Sequence, residues 1–364
     1  MNLWLRRALR VLAGVALGLA CVEILLRIFT PQPLNILYVR PDGVLSHVPG
    51  IDVDLITVER RARVRINRDG LRDVERPRRK PPGVSRVLVL GDSMIEGLQV
   101  ELPETMPKQM EKRLRAALPG RRIDVINAGV SGSSGPYALR YLQKDGLAYA
   151  PDVVVVTFTT RNDIEEAATA FEKKRPPLYA LRVFLRARLH LYASVERTLN
   201  TEDWLRNAIA FFGLVQPADP TRARTGTPGA VNMEAWHYDG RLEEQEDRGY
   251  DRLFASWNEI LSLCRARGIP VVFVLLPTYF QVTRDPSVLG EPSRVTVLVR
   301  NDREPQDRAL AFLEHQGVPV VDLLPGARSR GATLYLPKDQ HFSAAGNAFA
   351  AEETTRAILR LGLF

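Results

Sequence analysis

Hydrophobic and polar positions divide this chain into three stretches of different character. The first is a run of apolar residues, VLAGVALGLACVEILL, from Val11 to Leu26, preceded by Arg6, Arg7 and Arg10 and extended by Ile28 and Phe29 past Arg27. The uninterrupted part is shorter than the roughly 20 residues a bilayer span needs. Counted from Leu3, with arginines snorkelling at both ends, it is long enough. Glu23 lies toward the far end, where a charge costs least. The cationic flank predicts an inside N-terminus and an exported remainder. A cleaved signal is the rival reading, but Gly18, Leu19 and Ala20 before Cys21 match a lipoprotein processing site poorly, and no polar cleavage region follows.

The second stretch, residues 31–84, has short apolar pieces broken by Pro31, Pro33, Pro41, Gly43, Pro49 and Gly50. Alternation in ARVRIN, Ala62 to Asn67, predicts a strand ahead of a turn at Asp69 and Gly70. This part reads as a small β-rich preface without a large core of its own.

From residue 85 the periodicity changes again. RVLVLG (Arg86–Gly91), IDVINAG (Ile123–Gly129), DVVVVTF (Asp152–Phe158), PVVFVLLP (Pro270–Pro277) and VPVVDL (Val318–Leu323) are compact apolar runs suited to buried strands. Helical patterns separate them over Glu104–Leu118, Tyr137–Leu147, Tyr250–Arg267 and Gln306–His315, and Ser343–Leu361 closes the chain as an amphipathic helix. Strands alternating with helices predict an α/β domain whose parallel sheet is covered on both faces, with reactive groups at the carboxyl ends of the strands. An insertion over 164–249 interrupts the alternation. Within it Leu178–Ala193 mixes apolar and basic positions and reads first as a helix facing the core, with a membrane-surface helix as the alternative, while Thr225–Ala230 reads as a surface loop.

Composition changes this picture little. The 45% hydrophobic and 25% charged residues are those of an ordered globular protein. The net charge of +8 raises nucleic acid as a partner, but the basic clusters come without zinc-finger spacing or an aromatic single-strand-binding motif, so none is expected. Cys21 and Cys264 occupy unrelated settings and predict no disulfide.

The candidate chemistry collects where strands end. The first strand runs into GDSMIEG, Gly91–Gly97, where Ser93 stands at a strand-to-helix turn with backbone donors nearby, as an acyl-transfer nucleophile requires. On its own the tripeptide is equally a turn and a helix cap. The second runs into NAGVSGSSG, where Gly129 lets a backbone N–H approach an oxyanion. The third runs into TTRND, where the Asn162 amide is a further donor and Asp163 braces the loop. Near the C-terminus, in YLPKDQHFSAAG, His341 can take the serine proton and Asp339 can hold the imidazole tautomer, provided the segment is an extended loop. His47, His190, His237 and His315 have no comparable setting and read as structural or exposed. Walker-type and dinucleotide-binding glycine patterns are absent.

Taken together, GDS, NAG, TRND and the Asp339–His341 pair resemble the SGNH branch of the GDSL esterase/lipase superfamily over roughly Arg86–Leu361, and INRDGLRD, Ile66–Asp73, resembles the approach to the catalytic domain in its membrane-attached bacterial members. The resemblance implies a flavodoxin-like three-layer sandwich with a five-stranded parallel sheet. It also implies an oxyanion hole from the Ser93 N–H, Gly129 and Asn162, and no cofactor or metal. Two positions depart from the pattern: Thr160 stands where the asparagine block usually starts with glycine, and Asp339 precedes His341 by two positions instead of three, a spacing similar to that of polysaccharide O-acetyltransferase relatives. The expectation is an anchor over 1–30, a preface over 31–84 and a catalytic domain over 85–364, held by a single-pass helix in a bacterial inner membrane and facing the periplasmic or extracytoplasmic side. Its activity is expected to be hydrolysis of a small acyl ester on an envelope glycan or lipid, with envelope polysaccharide machinery as a possible partner. O-acetyl transfer to a polysaccharide and a non-catalytic envelope-assembly role are the alternatives.

Overall fold

A computed structural model describes residues 3–56, 59–160, 162–171, 178–210, 243–285 and 302–364. Thr225–Ala230 and His237 lie outside the described residues. The chain divides into two compact units, Met1–Ile36 with Arg175–Gly226, and Leu37–Lys174 with Thr227–Phe364.

The larger unit is built on five parallel strands, β5 (Val84–Gly91), β6 (Arg122–Gly129), β7 (Val153–Thr159), β8 (Val271–Leu276) and β9 (Val320–Asp322), in the order β6-β5-β7-β8-β9. This is the expected flavodoxin-like order, in which the chain steps first to one side of β5 and then to the other. The crevice at a topological switch point therefore opens between the carboxyl ends of β5 and β7. Because neighbouring side chains on a strand face opposite ways, the apolar runs feed two cores. Leu88, Leu90, Ile126, Val154, Val156 and Phe273 pack under Tyr141, Trp257 and Leu313 on one face. Val87, Val89, Val125, Val155 and Val274 pack under Met110, Leu114, Phe349 and Ile358 on the other. Each such side chain, fully buried, contributes about 1.5–3 kcal/mol.

The covering helices are α3 (Met106–Ala117), α4 (Gly135–Lys144), α9 (Glu243–Arg265), α10 (Glu304–His315) and α11 (Ala344–Arg360). The two earliest start or stop within a few residues of the sequence pattern, because single 3-10 turns, Leu102–Glu104 and Gly146–Tyr149, take up the residues left at their ends. The preface forms two antiparallel hairpins, β1 (Leu37–Val39) with β2 (Leu45–His47) and β3 (Asp52–Ile56) with β4 (Arg61–Arg65). Ala62 and Val64 of β4 turn inward while Arg61, Arg63 and Arg65 face water, which is the alternation the sequence carries.

In the smaller unit, α1 (Leu3–Phe29) is long and apolar enough to cross a membrane. The segment Leu178–Ala193 is not one helix on the sheet. It forms α6 (Tyr179–Arg188) and the start of α7 (His190–Thr201), broken at the extended Leu189, and groups with α1, as does α8 (Asp203–Ala210). Phe184 is exposed and Leu185 and Leu189 are half-buried, so a helix facing the sheet core, the first reading of the sequence, is replaced by one belonging to the unit of α1.

Candidate active site

At the carboxyl end of β5 the chain turns directly into α2 (Ser93–Glu96). Asp92 caps it by accepting a 3.0 Å hydrogen bond from the Met94 N–H, and Ser93 is its first residue, so the Ser93 N–H has no intrahelical partner. The turn needs glycine on both sides. A Cβ on Gly91 would strike Thr157 and Ile95, and one on Gly129 would strike the backbone of Ile95 and Glu96. Gly129 therefore lets α2 lie against β6, a packing reason for the glycine that stands beside the oxyanion reading.

His341 and Asp339 arrive on a loop closed by a bridge between Tyr335 and Phe342 and by the Leu336 N–H donating to His341 O at 2.9 Å. Gln340 between them has φ +64°, an uncommon conformation for a non-glycine residue, and it brings two side chains that are two positions apart to one side. The result is a continuous chain of groups. His341 Nδ1 lies 2.5 Å from Asp339 Oδ1, and Nε2 lies 2.8 Å from Ser93 Oγ. A carboxylate only accepts, so the proton sits on Nδ1, leaving Nε2 with its lone pair facing the serine hydroxyl. Burial works against the imidazolium, but the hydrogen bond and charge of Asp339, with the more distant charge of Asp92, outweigh it and raise the His341 pKa above its ordinary value. Ser93, Asp339 and His341 are all half-buried.

The remaining sequence-selected residues lie at the same sheet edge. Asn162 opens α5 (Asn162–Thr169) and donates from Nδ2 to Asp92 Oδ2 at 3.0 Å, which leaves its second N–H for another acceptor. The Gly129 N–H donates to Asn127 Oδ1 at 3.0 Å. Asp163 is buried and accepts from the Thr159 N–H at 3.0 Å, bracing the turn into α5; burial, then the charges of Asp92 and Glu166, push its pKa well up. Thr160 is buried, and its hydroxyl lies 2.7 Å from Gln281 Oε1, a partner that a glycine at this position could not engage.

Several residues that support the site were not singled out by the sequence. Glu59, at the tip of the β3–β4 hairpin, accepts from the Lys338 and Asp339 N–H groups at 2.8 and 2.7 Å. Arg72, in INRDGLRD, is buried and donates to the carbonyls of Glu96, Gly97 and Val100, clamping the end of α2. Burial brings its pKa down to about 10 against the opposing charges of Glu96 and Glu101. His47 lies 2.6 Å from Glu96 Oε1 through Nε2 and 2.9 Å from Gly70 O through Nδ1, and Glu96 accepts in turn from the N–H and hydroxyl of Ser131. Both His47 nitrogens face acceptors, so an imidazolium paired with a carboxylate satisfies every contact. Despite burial, the charge of each partner raises the His47 pKa and lowers that of Glu96. Glu96, buried right after Met94 and Ile95 in α2, was the available signal; nothing near Glu59 pointed to a loop 280 residues away.

His190 is half-buried, with Nδ1 accepting from the Gln32 N–H at 2.8 Å, and His315 is exposed. Among the described residues, no group of three or more His, Cys, Asp and Glu side chains is placed to hold a metal ion.

Residues 89–349 match the model of the GDSL-like Lipase/Acylhydrolase family. No curated protein matches the sequence. Among solved structures, the acetylxylan esterase Axe2 from Geobacillus stearothermophilus is similar at 15% identity and TM-score 0.41, over 75% of this chain and 94% of that one. A two-domain esterase active on acetylated mannans, co-crystallized with mannopentaose, is similar at 13% identity and TM-score 0.37, over 76% of this chain. This chain spans half the length of that esterase. With a family match running from the strand before Ser93 to the helix after His341, the chain belongs to the GDSL-like lipase/acylhydrolase family and is a serine hydrolase of the GDSL/SGNH type.

Proposed function

We propose that Ser93 is the nucleophile, His341 the general base and Asp339 the residue that orients it, in hydrolysis of a small acyl ester carried on an envelope glycan or lipid. The observation that carries this reading is the unbroken chain from Asp339 through His341 to the hydroxyl of Ser93. His341 Nε2 takes the hydroxyl proton as Ser93 Oγ attacks the ester carbonyl. The tetrahedral oxyanion is held by the Ser93 N–H and the second N–H of Asn162, with the Gly129 N–H shared between Asn127 and the new oxygen. His341 then returns its proton to the departing alkoxide. Water, deprotonated by the same nitrogen, attacks the acyl-serine and releases the acid and the free hydroxyl. In this reading α1 is an uncleaved anchor that keeps the site at the membrane surface on the exported side.

A panel of acyl esters, with and without glycan acceptors, tests the assignment. Free acid formed without an acceptor by the wild type, and lost in Ser93→Ala, supports it. Product that forms only on an acceptor moves the reaction to acyl transfer.

A further inference from the structure

α6 carries an apolar stripe on its exposed side. Leu178, immediately before the helix, Leu181 and Phe184 follow one another at three-residue spacing and are 73%, 50% and 51% exposed, whereas Val183 and Ala187 on the other side are buried. Basic residues border the stripe: Arg182 lies beside it, and the Arg188 guanidinium stacks over the Phe184 ring with 4.7 Å to its centroid. A water-facing helix with this arrangement exposes apolar area that nothing among the described residues of its own unit covers. A bilayer interface accepts such a helix, taking the apolar stripe among acyl chains and the arginines at phosphates.

The way α6 is tied to α1 fixes where along the membrane normal it sits. Glu23 of α1 accepts from the His190 and Leu191 N–H groups at 3.0 and 2.8 Å, capping the start of α7, and Arg27 donates to Arg188 O at 2.6 Å, holding the end of α6. The α6–α7 corner is thus pinned to the last turns of α1. At 1.5 Å per residue the 27 residues of α1 span about 40 Å, close to the roughly 40–45 Å of a bilayer with its headgroups. Glu23 lies about 9 Å from the C-terminal end of α1, near the boundary between acyl chains and headgroups.

Resting on the anchor assignment made above, we propose that α6 lies in the interface of the phospholipid bilayer crossed by α1, with Leu178, Leu181 and Phe184 inserted and Arg182 and Arg188 on the lipid phosphates. Spin labelling of the full chain in phosphatidylcholine–phosphatidylglycerol vesicles tests this in a Cys21→Ala background. Cys264 is buried, with its thiol pushed up to about 11, and stays unlabelled. Labels at Leu12→Cys, Leu181→Cys and Phe184→Cys are compared in variants that retain ester hydrolysis. The inference predicts that both α6 labels are relaxed by oxygen, lose access to a nickel chelate, and lie shallower than the Leu12 label. Free nickel access at both α6 positions beside a deep Leu12 label overturns the inference and leaves the anchor standing. Protection from both reagents means cover by protein, whether a second copy or another segment, and also overturns it. A Leu12 label open to the nickel chelate removes the anchor and the inference together.

Discussion

At the scale of single residues, the site depends on which nitrogen of His341 carries the proton. Asp339 at 2.5 Å keeps it on Nδ1, so His341 can act as the proposed base only when the ring is neutral. Because the pKa of His341 is raised above its usual 6.5, hydrolysis is expected to rise with pH through a midpoint above that value. Asp339→Asn removes the charge that raises it, so the surviving activity should have its midpoint shifted to lower pH, which a pH–rate profile of both proteins measures. In the mechanism proposed above Asn162 is an oxyanion donor, so Asn162→Ala should lower kcat on the order of 10²–10³-fold with KM nearly unchanged. Buried His47 and Glu96 make a separate prediction about stability. His47, with its pKa raised from 6.5, stabilises the fold fully below that value and loses its contribution as pH rises through its folded pKa. Glu96, with its pKa lowered from 4.5, contributes fully above that value and loses its share as pH falls through its folded pKa. The pair is therefore most stabilising between 4.5 and 6.5. His47→Ala leaves a carboxylate buried without its partner, and denaturant unfolding at pH 6 should show a loss of about 3–5 kcal/mol. An unchanged midpoint would mean that the pair is not ionised.

Among the elements, the strands were legible because full burial on both faces leaves a continuous apolar run, and three of the four candidate blocks were legible because parallel strands deliver their ends to one edge, the fourth, Asp339–His341, arriving on a loop beyond the last strand. Contacts made through the backbone were not. The β3–β4 hairpin reaches the acid loop through one carboxylate and two N–H groups, and neither partner's sequence marks the meeting. Leu189, where the predicted single helix breaks, is likewise an ordinary helix-compatible residue; the start of α7 beyond it is set by Glu23 from α1, a cap that no local pattern displays. Thr160 departs from the family pattern for a reason visible only in three dimensions, since its hydroxyl joins the buried side chain of Gln281. The hairpin contact leads to a test. Glu59→Ala should lower kcat by loosening the Lys338–Asp339 backbone, while Glu59→Gln, whose amide oxygen still accepts both N–H groups, should restore most of it. Equal losses in the two variants would assign the effect to charge, not to positioning.

Across the whole molecule, a GDSL/SGNH-type α/β hydrolase unit is combined with a helix long and apolar enough to cross a bilayer. If α1 is the anchor, the protein should resist alkaline carbonate extraction and require detergent. Replacing Leu12 and Leu17 with arginine adds roughly 2.5–3.5 kcal/mol per charge at the bilayer centre, enough to shift the chain toward the soluble fraction. Activity on a water-soluble ester should survive that change, because Ser93, His341 and Asp339 all belong to the other unit. Fractionation followed by an ester assay reads both outcomes, and retention of the doubly charged variant in the membrane pellet after carbonate treatment would argue against spanning.

The proposed catalysis rests on activation of Ser93 by His341. Mass spectrometry of the intact protein and its peptides after reaction with a fluorophosphonate tests it most directly. One adduct is predicted, on the peptide containing Ser93; it should be absent in Ser93→Ala and form orders of magnitude more slowly in His341→Ala. Labelling at another residue, or at an undiminished rate without the imidazole, would mean that His341 does not activate Ser93.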